Sequence, residues 1–364
     1  MIRLSIIIPS RGNDLASCSR IVQACSFAGP RVEVMVRDRS GNAAKAEFLR
    51  GIEQENCRFT TISSDDAGGD WTEALTEARG DFVMVMTDDD VVFDRAMIML
   101  PGVVESVASD ASVIGIAAPS LIETPLGAQA FAYSNIDADD PLVRLSGYLS
   151  ADRSDVLVFS PVRRATIVWA LDLLRERPLS FPFDDQLSSM LYLVAGKFAR
   201  MTRLMHVHDT GRGDAIRSAE AAFFERSHLD PGINKLNWFL CGFEGATLIR
   251  HAGLPSGYSP QQRQAMANLW FSAMFARHKA QPREAYGSRL PDEAETLCAR
   301  WKDAADRLSF ADMLPDICQF MALSSQETAL KYFAYWSAKL GLDSRERLET
   351  VAAPPATPDP SERL

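Results

Sequence analysis

The chain has 364 residues, of which 47% are hydrophobic, so it is long enough for one large domain or two domains with a substantial core. Its formal net charge of −10 argues against a nucleic-acid binder, because phosphate backbones require a basic face. The net charge does not exclude binding of a small anionic ligand, since a metal ion or a few local basic residues can compensate for the charge of that ligand.

The sequence carries no predicted signal peptide and no predicted transmembrane helix. The apolar run at 4–8 ends at Pro9, and no stretch approaches about 18 uninterrupted apolar residues. The six cysteines are scattered and form no CxxC pair, which argues against a zinc knuckle or a redox motif. We therefore expect a cytoplasmic protein, either free or peripheral to a membrane.

Apolar strands and amphipathic helices alternate through the first 118 residues. The predicted strands are 3–9, 32–36, 58–63, 82–86 and 112–118, and the predicted helices are 14–28, 43–54, 70–79 and 95–107. This alternation is typical of a parallel sheet with crossover helices. Polar residues follow the first, second and fourth strands, and the carboxyl ends of parallel strands share one edge. The sequence therefore places Arg11, Asp38 and Asp88 to Asp90 in one cleft.

The fourth strand ends in three consecutive carboxylates. The apolar run Phe82 to Met86 is followed by Thr87 and then by Asp88, Asp89 and Asp90. Adjacent carboxylates repel one another, and a hard divalent cation such as Mg²⁺ or Mn²⁺ would relieve that repulsion. The alternative is a solvated acidic turn that precedes the next helix. The acidic run by itself fits equally well a metal that in turn holds a diphosphate and an acidic turn in which Asp94 caps the next helix.

The middle of the chain predicts a different set of elements. These are an irregular lid or binding loop at 119–154, a strand at 156–159, a helix from Ser160-Pro161 to about Arg177, a helix from Asp184 or Asp185 through Ala195, and a strand at 197–205. The aromatic residues Phe181 and Phe183 flank the two aspartates. If they desolvate Asp185, its carboxylate suits general-base chemistry, whereas the alternative role is helix capping.

The remainder predicts a helical domain over 215–345 and a disordered Pro-rich tail over 346–364. The predicted helices lie at 215–228, 232–251, 259–279, 291–307 and 325–340. Aromatic clusters around Phe239 and around Tyr332 are typical of helix packing or of an oligomer contact. We expect these helices to contribute to acceptor recognition or to a homo-oligomer.

Three motifs together resemble inverting family 2 glycosyltransferases. They are Ser5-Ile6-Ile7-Ile8-Pro9-Ser10-Arg11, Val36-Arg37-Asp38-Arg39-Ser40, and Ala78 to Asp90 with its DXD-like acidic end, followed about 95 residues later by Phe183-Asp184-Asp185. The resemblance implies a GT-A-like α/β fold, with a mostly parallel Rossmann-type sheet flanked by helices and an all-helical C-terminal region. It assigns 1–214 to the transferase domain, with nucleotide-sugar binding in about 1–118 and acceptor binding and catalysis in about 119–214.

The resemblance also implies a role for individual residues. The implied nucleotide-sugar-binding residues are Pro9, Ser10, Arg11, Asp38, Asp66 and Asp88; the implied metal ligands are Asp89, Asp90 and His208; and the implied catalytic base is Asp185, with Asp184 as the second candidate. His206 is an alternative to His208. Arg212, between two glycines, is a further candidate for the diphosphate because a guanidinium suits phosphate oxygens.

The chain departs from the family pattern at two places. Arg37 stands where the family often has a second acid, and the stretch 70–74 lacks the basic residues that usually precede the acidic strand. Because of these departures the motifs do not identify the nucleotide of the donor. The expected donor is a UDP-sugar.

The predicted function is metal-dependent transfer of a hexosyl or N-acetylhexosaminyl group from a nucleoside-diphosphate-sugar to a glycan, lipid-linked or protein acceptor. Manganese or magnesium is the expected cofactor. One alternative is a nucleotidyltransferase acting on sugar phosphates, although Ser10-Arg11-Gly12-Asn13 is a poor version of its Gly-rich loop. The other is a non-catalytic nucleotide-sugar-binding or assembly subunit.

Overall fold

The computed structural model describes most of the chain. The described residues are 1–12, 15–62, 73–88, 90–124, 127–151, 155–180, 183–209, 221, 223–251, 253–254, 257–280, 296 and 310–342. The chain divides into two compact units, Met1–Asp172 with Ser188–Gly213, and Leu173–Leu187 with Asp214–Leu364. The sequence divides the chain near residue 214 instead, and those domain bounds stay a prediction.

The first unit contains both sheets. The strands are β1 Leu4–Ser10, β2 Val32–Asp38, β3 Cys57–Thr61, β4 Phe82–Val85, β5 Val91–Val92, β6 Val113–Ala117, β7 Ser120–Thr124, β8 Gly127–Phe131, β9 Val162–Arg163, β10 Lys197–Arg200 and β11 His206–Asp209. The helices are α1 Leu15–Cys25, α2 Ala43–Gly51, α3 Asp94–Val107, α4 Pro141–Leu149, α5 Arg164–Arg175 and α6 Asp184–Ala195, and a 3₁₀ helix spans Asp155–Phe159. The last two α-helices each contribute residues to both units.

The larger sheet has the order β10-β6-β9-β4-β1-β2-β3. All neighbouring strands are parallel except at β9, which runs antiparallel to β4 and β6. Every residue of β2 is buried, as expected of a strand covered on both faces. The prediction of a mainly parallel α/β sheet, followed by a helical region, is therefore confirmed.

Apolar side chains from the central strands form the core of the first unit with residues of α1 and α3. Representative members are Ile6, Ile8, Val34, Val36, Phe82, Met84, Ile21, Leu100 and Val104. The register of the strands is fixed by this burial, because a one-residue slip would turn each apolar set away from the core. In that register Ser10 of β1 lies opposite Asp38 of β2, and Ile7 lies opposite Val85 of β4.

The second sheet corrects the prediction for the middle of the chain. It has the order β5-β11-β7-β8, so 119–154 is not an irregular loop but contains a hairpin and α4. The predicted strand at 197–205 ends at Arg200, and the chain enters the second sheet at β11. The predicted strand at 156–159 is the 3₁₀ helix. Ser160-Pro161 does not begin a helix, because β9 intervenes before α5.

The second unit is helical where it is described. Beyond residue 214 it contains a 3₁₀ helix, Pro231–Leu236, and α7 Asn237–His251, α8 Pro260–Ala280, α9 Phe310–Ala322 and α10 Gln326–Leu340. The prediction missed α9, which contains Pro315. The predicted helix at 291–307 lies almost wholly outside the described residues, and the predicted tail at 346–364 lies entirely outside them.

Aromatic side chains fill the core of the second unit. The fully buried members are Phe239, Phe243, Trp270, Phe271, Phe310, Tyr332, Phe333 and Trp336. Several pairs meet edge to face, with ring centroids about 6 Å apart. An added Cβ at Gly245 would stand 2.2 Å from Trp270 Nε1, so α7 needs glycine there for the close approach of α8. The interpretation of these clusters as helix packing is confirmed.

Candidate functional site

The carboxyl ends of β1, β2 and β4 bring three predicted aspartates to one edge of the larger sheet. Asp38 ends β2, while Asp88 and Asp90 follow β4. Their exposed fractions are 2%, 4% and 1%. Buried carboxylates require partners, so the contacts of each one show what it can still bind.

Three hydrogen-bond donors converge on one oxygen of Asp88. Asp88 Oδ2 accepts from Ser10 Oγ at 2.6 Å, from the Arg11 amide at 3.1 Å and from the Gly12 amide at 2.8 Å. A Cβ at Gly12 would lie 3.0 Å from that oxygen and 2.1 Å from Ser17 Oγ, so glycine is needed for this approach. All the contacts of Asp88 within the described chain use Oδ2, which leaves Oδ1 as the oxygen for a ligand.

Lys45 lies between the aspartates. Its side chain is 2% exposed, and Nζ donates to Ser10 Oγ at 2.6 Å and to the Gly12 carbonyl oxygen. Nζ also lies 3.3 Å from Asp38 Oδ1 and 3.9 Å from Asp88 Oδ2. Lys45 was not among the predicted site residues, because a lysine in an amphipathic helix is usually solvated.

The first turn of α2 fixes the direction of Lys45. Asn42 caps this helix, and its Oδ1 accepts from the amides of Ala44 and Lys45 at 3.0 and 3.2 Å. The helix begins shortly after Asp38, so its first turn lies beside the strand end. That position is the one signal in the sequence that could have identified Lys45.

Within the part of the chain that the structure describes, one carboxylate oxygen of Asp38 has hydrogen-bond or ion-pair partners and the other has none. Oδ1 accepts from the Ser40 amide at 3.1 Å and contacts Lys45. Oδ2 is buried and has no hydrogen-bond partner among the residues that the structure describes. Since an orphaned buried acceptor is unfavourable, this oxygen is suited to an N–H or O–H group of a ligand.

Arg37, the departure from the family pattern, has structural partners. Its side chain is 1% exposed and contacts Glu73 Oε2 at 2.6 Å and Glu77 Oε2 at 3.3 Å. Successive residues of a strand point to opposite faces, so Arg37 and Asp38 belong to different faces of the sheet. The arginine therefore ties β2 to the helical segment at 73–77.

The predicted metal ligands are only partly described. Asp90 Oδ2 accepts from the Thr87 amide at 3.1 Å and closes the turn after β4. Asp89 lies outside the described residues, as does the side chain of His208, whose backbone is part of β11. Within the described chain, no three His, Cys, Asp or Glu side chains form a metal-binding group. The carboxylate oxygens at this strand end match the chemistry of a hard cation, and the ligand set stays a prediction.

His206, the alternative to His208, is a buried side chain with local partners. It is 2% exposed, its two ring nitrogens lie 3.3 and 3.4 Å from Ser120 Oγ, and its ring meets that of Phe159 edge to face. Ser120 is its direct neighbour in the pairing of β11 with β7. These contacts favour a structural role for His206.

The other predicted nucleotide-sugar-binding residues lie either at the end of β1 or outside the described residues. Pro9 is half-buried and Ser10 is fully buried, whereas Arg11 is exposed, with its amide turned to Asp88. Asp66 and Arg212 lie outside the described residues.

The predicted catalytic pair lies in the first turn of α6, in the part of this helix that belongs to the second unit. Asp184 accepts from Arg177 Nη2 and from Ser180 Oγ, each at 2.6 Å. Asp185 is exposed, so the expected desolvation by its aromatic neighbours is wrong for this structure: Phe183 is itself buried, and Phe181 lies outside the described residues.

A buried polar network continues from Asp184 within the second unit. Arg177 Nη1 donates to Glu244 Oε2 at 2.5 Å, and Tyr332 Oη donates to Glu244 Oε1 at 2.8 Å. Burial raises the pKa of Glu244 to about 7. We call Arg177, Asp184, Glu244 and Tyr332 the arginine network. The sequence gives no sign of it, because its members lie on separate helices and loops.

No helix among the described residues is long and apolar enough to cross a membrane. No protein-family model matches the chain, and no curated protein matches it.

Similar chains are found among solved structures. One is the crystal structure of S. aureus TarS 1–349 in complex with UDP-GlcNAc, with 15% identity, a TM-score of 0.49, and coverage of 94% of this chain and 93% of that chain. Another is the mannosyltransferase PcManGT from Pyrobaculum calidifontis in complex with GDP-Man and Mn²⁺, with 15% identity, a TM-score of 0.43, and coverage of 93% and 86%. At these values the similarity assigns no role to any residue of this chain.

Proposed function

We propose that the chain is a glycosyltransferase that moves a sugar from a nucleoside-diphosphate-sugar to an acceptor hydroxyl group. The observation that carries the proposal is the set of buried carboxylates at the carboxyl ends of β2 and β4, with Asp38 Oδ2 buried and unpartnered within the described chain. This edge of a parallel sheet is where such folds bind ligands. The three motifs that resemble family 2 enzymes lie on the strands that build it.

Ionised carboxylates accept hydrogen bonds and donate none, so the site is built for a ligand rich in N–H and O–H groups. A nucleoside supplies ribose hydroxyls and base N–H groups. In this proposal Asp38 Oδ2 binds the base or the ribose, and Asp88 Oδ1 binds the ribose or the donor sugar. Pro9, Ser10 and Arg11 line the base. A UDP-sugar is the proposed donor.

The diphosphate of such a donor needs positive charge that these aspartates do not supply. We therefore include Mn²⁺ or Mg²⁺, held by Asp89 with Asp90 and His208 as the proposed further ligands, and Arg212 as a proposed diphosphate contact. A bound cation would neutralise the charge of the leaving diphosphate. The acidic side chains fit a hard cation better than they fit phosphate oxygens directly.

The proposed reaction is direct displacement, with inversion at the anomeric carbon. The acceptor oxygen forms a bond to that carbon, the bond to the diphosphate oxygen breaks, and the acceptor proton passes to a carboxylate. Asp185 is the proposed base because it is exposed and matches the second residue of the acidic pair in the resemblance, whereas the carboxylate of Asp184 accepts from Arg177 and Ser180. The proposed acceptors are glycan, lipid-linked or protein hydroxyls, and the transferred group is a hexosyl or N-acetylhexosaminyl residue.

A turnover assay tests the activity. The chain is incubated with UDP-, GDP- and dTDP-sugars, with Mn²⁺, Mg²⁺ or EDTA, and release of the nucleoside diphosphate is followed with water or added glycans as acceptors. We expect release from one nucleotide class, dependent on the metal. Release of pyrophosphate from a nucleoside triphosphate and a sugar 1-phosphate would instead identify a nucleotidyltransferase. Tight nucleotide-sugar binding with no release under any of these conditions would identify a non-catalytic subunit.

A further inference from the structure

Lys45 has no N–H group left for a ligand. An ammonium carries three N–H donors, and Nζ of Lys45 has three near acceptors: Ser10 Oγ, the Gly12 carbonyl and Asp38 Oδ1. Its side chain is 2% exposed. Any effect of Lys45 on a ligand must therefore pass through the groups that it holds.

Those contacts fix both aspartates. The Ser10 hydroxyl accepts from Lys45 at 2.6 Å and donates its own proton to Asp88 Oδ2 at 2.6 Å. The two hydrogen bonds therefore run in one direction, from Lys45 to Ser10 and from Ser10 to Asp88. Nζ of Lys45 also lies 3.3 Å from one oxygen of Asp38 and 3.9 Å from one oxygen of Asp88. The ammonium thus holds Asp38 Oδ1 and Asp88 Oδ2 and leaves the second oxygen of each carboxylate for something else.

We propose that Lys45 is a positioning residue for nucleotide recognition. It holds Asp38 so that Oδ2, which has no partner among the described residues, accepts a hydrogen bond from one N–H or O–H group of the nucleoside. This inference rests on the proposed function. It adds to the proposed site a buried cation, Lys45, beside the carboxylate of Asp38. A carboxylate accepts hydrogen bonds and donates none, so this arrangement selects ligands that present a hydrogen-bond donor to Asp38.

The energetic reason lies in burial. Two carboxylates with exposed fractions of 2% and 4% cost free energy unless a cation compensates them, and Lys45 contacts both. Removing the ammonium leaves Asp38 with the Ser40 amide on Oδ1 and no charge partner among the described residues. The carboxylate is then free to turn or to recruit water, and Oδ2 is no longer held for the ligand.

The test combines protein variants with ligand variants. Affinity is measured by calorimetry for UDP, 2′-deoxy-UDP, 3′-deoxy-UDP and UDP methylated at the uracil ring N–H, with wild type and with Lys45→Met. We expect Lys45→Met to weaken UDP binding about 10- to 100-fold, as for loss of a hydrogen bond to a charged group. One of the three analogues lacks the donor that Asp38 contacts. For that analogue the affinities of wild type and Lys45→Met should agree within about threefold, because the interaction that Lys45 supports is already absent.

A lysine that only supports the fold gives a different result. It would lower the affinity for all four nucleotides by one common factor, and that outcome would overturn the inference while leaving the proposed function intact. GDP is titrated into wild type alongside these four, and failure of wild type to bind either UDP or GDP would overturn the proposed function and the inference with it. Arg50→Met, an exposed change on the same helix, is the matched control and should bind all four nucleotides as wild type does.

Thermal unfolding of each variant separates loss of fold from loss of affinity. If Lys45→Met does not fold, Lys45→Gln, which keeps a donor without the charge, and Asp38→Asn take its place. The amide of Asp38→Asn presents an N–H₂ group where Oδ2 was, because Lys45 and the Ser40 amide hold the other atom as an acceptor. The inference predicts that Asp38→Asn and the Lys45 variant become insensitive to the same analogue. Insensitivity to different analogues would contradict it.

Discussion

Replacing Asp185 with asparagine is expected to lower the rate of glycosyl transfer at least about 100-fold and to leave nucleotide affinity within about twofold of wild type. Of the two predicted carboxylates, Asp184 accepts from Arg177 and Ser180, whereas Asp185 is exposed in the first turn of α6. Asparagine has nearly the size and shape of aspartate, so the change removes a proton acceptor without changing the space that the side chain fills. Transfer rate and nucleotide affinity are measured on the same preparation.

Asp184→Asn is the matched comparison for Asp185→Asn. It weakens the contact with Arg177, so its main expected effect is on the stability of the second unit. Wild-type transfer by Asp185→Asn, together with loss of transfer by a folded Asp184→Asn, would move the base to Asp184. Wild-type transfer by both variants would reject a carboxylate base at this position.

Arg177→Met is expected to destabilise the second unit by about 3–5 kcal/mol at pH 8. The guanidinium is fully buried and bridges Asp184 and Glu244, so its loss leaves the buried Glu244 carboxylate without its cation. The measurement is denaturant unfolding followed by tryptophan fluorescence, to which the buried Trp270 and Trp336 of this unit contribute. Arg226→Met, an exposed change in the same unit, is the control and should cost less than about 0.5 kcal/mol.

The arginine network also makes stability depend on pH. Burial raises the pKa of Glu244 to about 7, above its ordinary value of 4.5, so the folded chain binds more protons than the unfolded chain between these values. The stability of the second unit should therefore fall by about 3 kcal/mol as pH rises from about 4.5 to about 7. Glu244→Gln, which mimics the neutral form, should remove this slope. A slope unchanged in Glu244→Gln would show that another group titrates.

The sequence predicted the scaffold of the candidate site well. Mainly apolar runs identify β1, β2 and β4, although Ser5 interrupts the first and Glu33 the second. The polar residues after these runs place Asp38 and Asp88 together without any knowledge of side-chain contacts. Charged partners were harder to predict. Lys45 and Arg37 lie in segments whose composition suits a solvated surface, and only the packing of α2 and of the segment at 73–77 against the sheet shows that both are buried.

Two further misses have physical causes. No helix was predicted over 310–322, a stretch that contains Pro315. Apolar residues at helical spacing continue through the proline, and tertiary packing of Phe310, Ile317 and Met321 outweighs the backbone hydrogen bond that it cannot donate. The second sheet depends on pairing between β7 and β11, which are far apart in the chain, and a local pattern of a few residues does not show that pairing. Prediction from periodicity is weakest for such short strands.

Calorimetric titration of UDP, GDP and dTDP into wild type and Asp88→Asn, with and without Mn²⁺, decides whether this edge of the sheet binds a nucleotide. The amide oxygen that Asp88→Asn introduces can keep the Ser10, Arg11 and Gly12 donors, so the change replaces Oδ1 with an N–H₂ group while the loop stays held. Asp81→Asn is the control, because Asp81 is half-exposed and precedes the other end of β4.

We expect one nucleotide to bind wild type and Asp81→Asn alike, more tightly with Mn²⁺, and to bind Asp88→Asn at least about tenfold more weakly. Equal affinity in wild type and Asp88→Asn, or no nucleotide binding at all, would contradict a nucleotide-sugar site at this edge of the sheet.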